Sequence, residues 1–162
     1  MKNINIRSAI ESDAKLILSL IREIAEYEKL LHEVVATESL IKENLFGQNP
    51  VAKSLIAELD NQPVGYALYF YNFSTFLGRP GIYLEDLYVK PECRGLGIGK
   101  KLLTKLAKIA VEKNCGRVEW SVLDWNEPAI MFYRAVGAIP MDEWTVQRLT
   151  GETLAKFAES ND

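Results

Sequence analysis

Several functions are excluded by what this chain has little of. Its 162 residues hold two cysteines, Cys93 and Cys115, with no close pairing pattern. That usage fits a reducing cytosol better than a disulfide-stabilised secreted domain. One histidine, His32, and two distant cysteines cannot supply a metal site with the usual spacing, so no metal is expected. His32 has no motif around it and reads as a surface or capping residue. No run approaches the ~18 apolar residues of a membrane span. The N-terminal Met1-Lys2-Asn3-Ile4-Asn5-Ile6-Arg7 alternates like a strand and lacks the apolar core of a signal peptide. Basic residues are not in excess: 19 Lys and Arg face 22 Asp and Glu, for a net charge of -3 and a pI near 5.3. A general nucleic-acid binder needs the opposite balance. No G-x-S-x-G elbow, internal repeat or low-complexity tract is present. The expectation is a cytoplasmic protein with neither nucleic acid nor membrane as partner.

What is present is a chain long enough for one domain over residues 1–162 with a full core, and 48% of it is hydrophobic. One stretch stands out, Leu84-Glu85-Asp86-Leu87-Tyr88-Val89-Lys90-Pro91-Glu92-Cys93-Arg94-Gly95-Leu96-Gly97-Ile98-Gly99-Lys100. An apolar strand breaks at Pro91 and enters three alternating glycines, and an amphipathic helix follows at once. Glycines let backbone N–H groups approach a ligand closely, and the helix adds its positive end. Such a device suits a pyrophosphate, although three glycines in five residues could also be only a tight turn. The dinucleotide and nucleoside-triphosphate motifs both fail on spacing. G-x-G-x-x-G has its third glycine one residue later, and G-x-x-x-x-G-K-[ST] is broken by Lys101 and by Arg94.

Strands and helices interleave along the rest. The pattern predicts a helix capped at Ser12-Asp13 with Leu16, Ile17, Leu20, Ile21, Ile24 and Leu31 on one face. A shorter helix is capped by Thr37 and stopped by Gly47. Residues 54–59 and 64–71 form a hairpin around Asp60-Asn61-Gln62-Pro63, residues 72–81 a loop, and 82–89 a strand. A helix over 97–114 faces inward through Leu102, Leu103, Leu106, Ile109 and Ala110, with Lys100, Lys101, Lys105 and Lys108 elsewhere on it. Residues 117–123 are a strand, Asn126 caps a helix to Val136, and 143–149 form a final strand before a tail helix. The central hairpin makes this a mixed sheet in an α+β domain.

Arg94 to Gly99 is similar to the acetyl-CoA loop of the GCN5-related N-acetyltransferases. The acetyl transfer to an amine that this implies needs a base for the ammonium, donors for an oxyanion and an acid for the departing thiolate. Glu85 and Asp86 are adjacent on a strand, so they are expected on opposite faces, with at most one facing a reacting carbon directly. Backbone N–H groups at Leu87, Tyr88 and Val89 could serve as oxyanion donors if the strand bulges or splays. Tyr133 is the acid candidate; its plain alternative is packing. Cys93 has no base assigned to it.

Arg94 to Gly99 resembles the [QR]-x-x-G-x-[GA] loop of the GCN5-related N-acetyltransferases, which hold the pyrophosphate of acetyl-CoA. The resemblance covers nearly the whole chain. Arg22-Glu23-Ile24-Ala25-Glu26-Tyr27-Glu28, Tyr83-Leu84-Glu85-Asp86, Asp124-Trp125-Asn126-Glu127, Phe132-Tyr133 and Gly137-Ala138 are similar to the diamine acetyltransferases, of spermidine/spermine and thialysine N-epsilon type. The resemblance implies the GNAT fold, a mixed, mostly antiparallel sheet flanked by helices with acetyl-CoA between splayed central strands. It implies Tyr133 as general acid, Glu85 as base through water, and Tyr27, Glu28, Glu85 and Asp86 around the amine. For acetyl-CoA it implies Leu87, Tyr88, Val89, Arg94, Gly95, Leu96, Gly97, Ile98, Gly99 and Lys100, with Asn126, Pro128 and Ala129 along the CoA arm. It further implies a homodimer. Ser74-Thr75 and Leu123-Asp124-Trp125-Asn126 are closer to the thialysine branch, and the segment from Ile139 to Trp144 is shorter than the family's. The expected activity is acetylation of a small cationic amine by direct transfer. A protein lysine or N-terminal acetyltransferase, or a non-catalytic acetyl-CoA-binding module, are the alternatives.

Overall fold

In the computed structural model, which describes residues 2–160, the chain falls into two compact units. The first, up to Leu123, is an open sheet of five strands in the order β1-β2-β3-β4-β5: Ile4–Ser8, Lys53–Leu59, Gln62–Ser74, Arg79–Val89 and Val118–Trp120. The first four pair antiparallel with their neighbours, and β5 joins β4 in parallel. Helices α1 (Ala14–Tyr27), α2 (Glu38–Phe46) and α3 (Ile98–Glu112) complete the unit.

Alternation along the strands decides what each face buries. Ile56, Tyr66 and Tyr88 share a face and form a core with Ala14, Ile17, Leu20 and Ile24 of α1 and Ile41 and Leu45 of α2. Leu55, Ala67, Ile82 and Leu84 look the other way and are almost fully buried, as are Ile98, Leu102 and Leu106 of α3.

Four expectations change. Helix α1 ends at Tyr27, because Lys29 takes a left-handed φ of 61°; Leu31 falls in a separate 3-10 turn and is exposed. Residues 72–74 and 79–81, expected in a loop, are paired strand, since Asn72 faces Gly81 and Ser74 faces Arg79. Strand β5 keeps only three residues of the expected 117–123. The β2–β3 turn is tight, with Asp60 and Asn61 both at positive φ, as a two-residue hairpin requires.

The second unit, from Asp124 on, contains α4 (Glu127–Ala135) and α5 (Gly151–Glu159). The strand expected over 143–149 is irregular. A strand exists only through a ladder, and among the described residues no segment pairs with this one.

Candidate active site

The site is built on an irregularity in β4. Leu84 pairs with Tyr69 and Asp86 with Leu68, so Glu85 is an extra residue without an opposite number. This β-bulge breaks the regular alternation on which the expectation of opposite faces for Glu85 and Asp86 rests. The inserted residue returns Asp86 to the α1 side of the sheet, with Tyr83 (opposite Phe70) and Tyr88 (opposite Tyr66). Among the described residues, the β5 ladder ends at Leu84–Trp120, short of the last residues of β4, Leu87 to Val89. Leu87, Tyr88 and Val89 therefore lie where the ladder opens.

Around the bulge the acidic candidates meet. The Tyr66 phenol donates a hydrogen bond to Asp86 Oδ2 at 2.6 Å. Glu28, the residue that ends α1, faces Asp86, and Glu28, Glu85 and Asp86 all bear electrostatically on Tyr66. Burial, then the charge of Asp86, raises the Glu28 pKa. Burial also raises Asp86, and the Tyr66 hydrogen bond pulls it partly back. Burial first, then Asp86, Glu28 and Glu85, push the Tyr66 phenol well above its ordinary range. Among the described residues neither Glu28 nor Asp86 forms an ion pair. Tyr66 was not singled out from sequence; only the register that sets Leu68 against Asp86 brings it there.

Next to this mouth, Arg94 folds back. Its Nε donates to the Val89 carbonyl at 2.9 Å, and its guanidinium stands 4.7 Å from the Tyr27 ring centroid and 5.7 Å from that of Tyr88. Arg94 thus joins the end of β4 to Tyr27, the residue before Glu28. Beyond it, Gly95 and Gly97 take φ of 77° and 79°, and Gly97 leads into α3. A Cβ at either glycine would stand in open space, with no atom within 4 Å. Among the described residues, the first N–H of Gly95 to Lys101 to reach a backbone carbonyl is Lys101, on Gly97 at 3.0 Å. N–H groups that reach no backbone carbonyl among the described residues, open space in front of the glycines and a helix N-terminus together fit a pyrophosphate.

In the second unit, Asn126 Oδ1 accepts from the Ala129 N–H at 3.4 Å and caps α4, and Pro128 sits in its first turn. Tyr133 follows on the same helix, its ring centroid 5.4 Å from that of Phe132. His32 is exposed, 3.3 Å from Glu33. Cys93 and Cys115 are free thiols, the first buried. Among the described residues no group of three or more His, Cys, Asp or Glu is placed to hold a metal ion, and no helix is long and apolar enough to cross a membrane.

The sequence and fold have counterparts among known proteins. Residues 17–138 match the profile of the acetyltransferase (GNAT) family. The thialysine N-epsilon-acetyltransferase of Bos taurus is 43% identical, over 98% of this chain and 99% of its own length. The L-ornithine N5-acetyltransferase NATA1 of Arabidopsis thaliana is 32% identical, over 96% of this chain and 88% of its own. Among solved structures, an integron cassette protein from the mobile metagenome of V. cholerae matches with a TM-score of 0.83 at 27% identity, covering 97% of this chain and 98% of that one.

Proposed function

Because the chain belongs to the acetyltransferase (GNAT) family and is an enzyme of that class, we propose that it acetylates a primary amine of a small substrate that carries two ammonium groups. The substrate we favour is a thialysine-like amino acid or a short diamine. One observation supports this most: three carboxylates, Glu28, Glu85 and Asp86, bear electrostatically on the Tyr66 phenol, which hydrogen-bonds Asp86, and among the described residues no cation pairs with Glu28 or Asp86. Such a mouth attracts ammonium groups and repels an acidic peptide. The relatives are named for thialysine and for L-ornithine, both short amines, and Thr75 leaves no acid in the β3–β4 loop to anchor a long polyamine.

Acetyl-CoA supplies the activated acetyl thioester. The N–H groups from Gly95 to Lys100 and the end of α3 would hold its pyrophosphate, with the open edge of Leu87 to Val89 along its arm. Asn126, Pro128 and Ala129 would add contacts from α4. Glu85 would take a proton from the ammonium through water, freeing the amine to attack the thioester, and Tyr133 would protonate the departing thiolate. The route we favour is direct transfer in a ternary complex. The family profile spans both sides of the Leu123–Asp124 boundary, which supports reading residues 1–162 as one catalytic domain. We take the active form to be a cytoplasmic homodimer. Its support is the resemblance, together with the alternating Trp144 and Val146, 73% and 78% exposed in a segment with no ladder partner among the described residues.

The deciding experiment compares steady-state rates of acetyl-CoA consumption with thialysine, putrescine, spermidine and a lysine peptide. The expected order puts thialysine first and the peptide last. A clear preference for the peptide sinks the small-amine reading, and a preference for spermidine returns the chain to the polyamine branch.

A further inference from the structure

The acidic mouth contains one group that the reaction itself does not use. Tyr66 lies in the middle of β3 with no exposed surface, in the core formed with α1 and α2, yet its hydroxyl ends on a carboxylate. A phenylalanine would fill the same space, so the hydroxyl is superfluous for packing. Its partner, Asp86, is half-buried and forms no ion pair among the described residues. A carboxylate in that position needs a donor to remain charged. Tyr66 is the hydrogen-bond donor that supports it, and at 2.6 Å the contact is short, as charge-assisted O–H···O bonds are.

We infer that Tyr66 is a positioning residue for the amine site: its buried hydroxyl fixes the Asp86 carboxylate as the anchor for the second positive charge of the substrate. The inference rests on the two-ammonium reading above and adds to it the division of labour among the acids. Glu85, in the bulge, serves the reacting nitrogen. Asp86, pinned from the core, serves the distant one, together with Glu28. Among the described residues, Tyr66 from β3 donates its hydrogen bond to Asp86, Glu28 from the end of α1 is coupled to it by charge, and Glu85 from β4 bears on Tyr66. All are acids, so Tyr66 is the member of the set that favours a charged Asp86.

Tyr66→Phe tests this. Removing the donor favours protonated Asp86, which cannot bind an ammonium. The KM for the diammonium substrate is expected to rise about 10-fold, with kcat and the KM for acetyl-CoA within about 2-fold. Affinity for such a substrate is present above the Asp86 pKa and lost as pH falls through it, so the acid limb of kcat/KM moves to higher pH in the variant. A monoamine of similar length loses little. In an Asp86→Asn background, Tyr66→Phe adds nothing further, because the hydroxyl acts only through the carboxylate.

An unchanged amine KM and pH limb in Tyr66→Phe overturns the proposal. So does a variant that loses amine and acetyl-CoA affinity together, which marks a purely structural tyrosine. Should the variant not fold, wild-type protein labelled with 13C at the tyrosine ring decides. The Tyr66 resonance must follow Asp86 ionisation and shift when the diammonium substrate is added, and a resonance indifferent to both overturns the proposal. If wild type prefers the peptide, the substrate reading fails on its own. The shift of the acid limb, measured with that peptide, still decides the role of Tyr66.

Discussion

Helix α1 has an acid at each end, and the two are treated in opposite ways. Asp13, just before the helix, accepts from both terminal nitrogens of Arg7 at 2.7 and 3.0 Å and from the Ile10 N–H at 2.8 Å. Glu58 holds the same arginine through Nε at 2.7 Å. The Arg7 hydrogen bond pulls the Asp13 carboxyl below its ordinary pKa. Glu28, at the other end, has burial and Asp86 working against its charge. The helix dipole reinforces the contrast, favouring negative charge at the N-terminus and disfavouring it at the C-terminus. Both clusters lie on the same face of the same sheet, as the pairing of Arg7 with Ile56 and of Asp86 with Leu68 requires. One set of acids is neutralised from within and stabilises the fold. The other has no internal counter-ion among the described residues, which is what the proposed amine site requires.

The largest effect should come from the bulge. Glu85→Gln is expected to lower kcat by about 100- to 10,000-fold, the range of a general base, with Tm unchanged. Tyr133→Phe should lose a similar factor while acetyl-CoA affinity, read by calorimetry, stays the same. A Glu85→Gln variant that keeps its turnover would leave the acidic mouth without a chemical role.

Breaking the neutralised end should do the reverse. Arg7→Met leaves Asp13 and Glu58 uncompensated and is expected to cost about 2 kcal/mol, the value for a buried pair reduced for partial exposure. At this chain length that lowers Tm by roughly 4–8 °C with kcat intact. The sign with pH follows from the lowered Asp13 pKa. Its stabilisation is present above the ordinary value of 3.8 and is lost as pH falls through the folded value. Melting curves of the two proteins should therefore converge in acid. A gap that persists at the lowest pH would mean that Arg7 acts through its packing alone.

The smallest effect is the most diagnostic. Glu28→Gln removes a charge that the fold disfavours, so Tm at neutral pH should rise by about 1–2 °C, while the KM for a diamine increases. Because the Glu28 pKa is raised, its cost appears only as pH climbs past the ordinary 4.5, and the gain in Tm should fade on acidification. A loss of stability instead would make Glu28 a structural acid like Asp13.

Much of this was legible in local chemistry. Thr37 caps α2, its Oγ1 accepting from the Leu40 N–H at 3.2 Å, and Asn126 caps α4, each as its side chain predicts. The glycine loop and the helix behind it are equally local. What escaped depends on pairing across the sheet. Residues 82–89 read as one uninterrupted strand, because nothing in Ile82 to Val89 marks Glu85 as extra; only the partner strand counts it. The same holds for Tyr66, an unremarkable strand tyrosine until Leu68 is set against Asp86. The segment 143–149 failed the other way: its alternation is real, but periodicity states a preference and a ladder requires a neighbour.

Glu85 enters β4 as one residue more than its partner strand can match. Loss of a single codon there would leave Leu84 opposite Tyr69 and Asp86 opposite Leu68, every remaining pair in place and the ladder continuous. The reactive arrangement is therefore one small deletion away from a smoother protein that keeps its pairing and lacks its proposed base. Substitution at the surrounding positions can tune this site, but a change in residue count is the mutation that would erase it while leaving the fold whole.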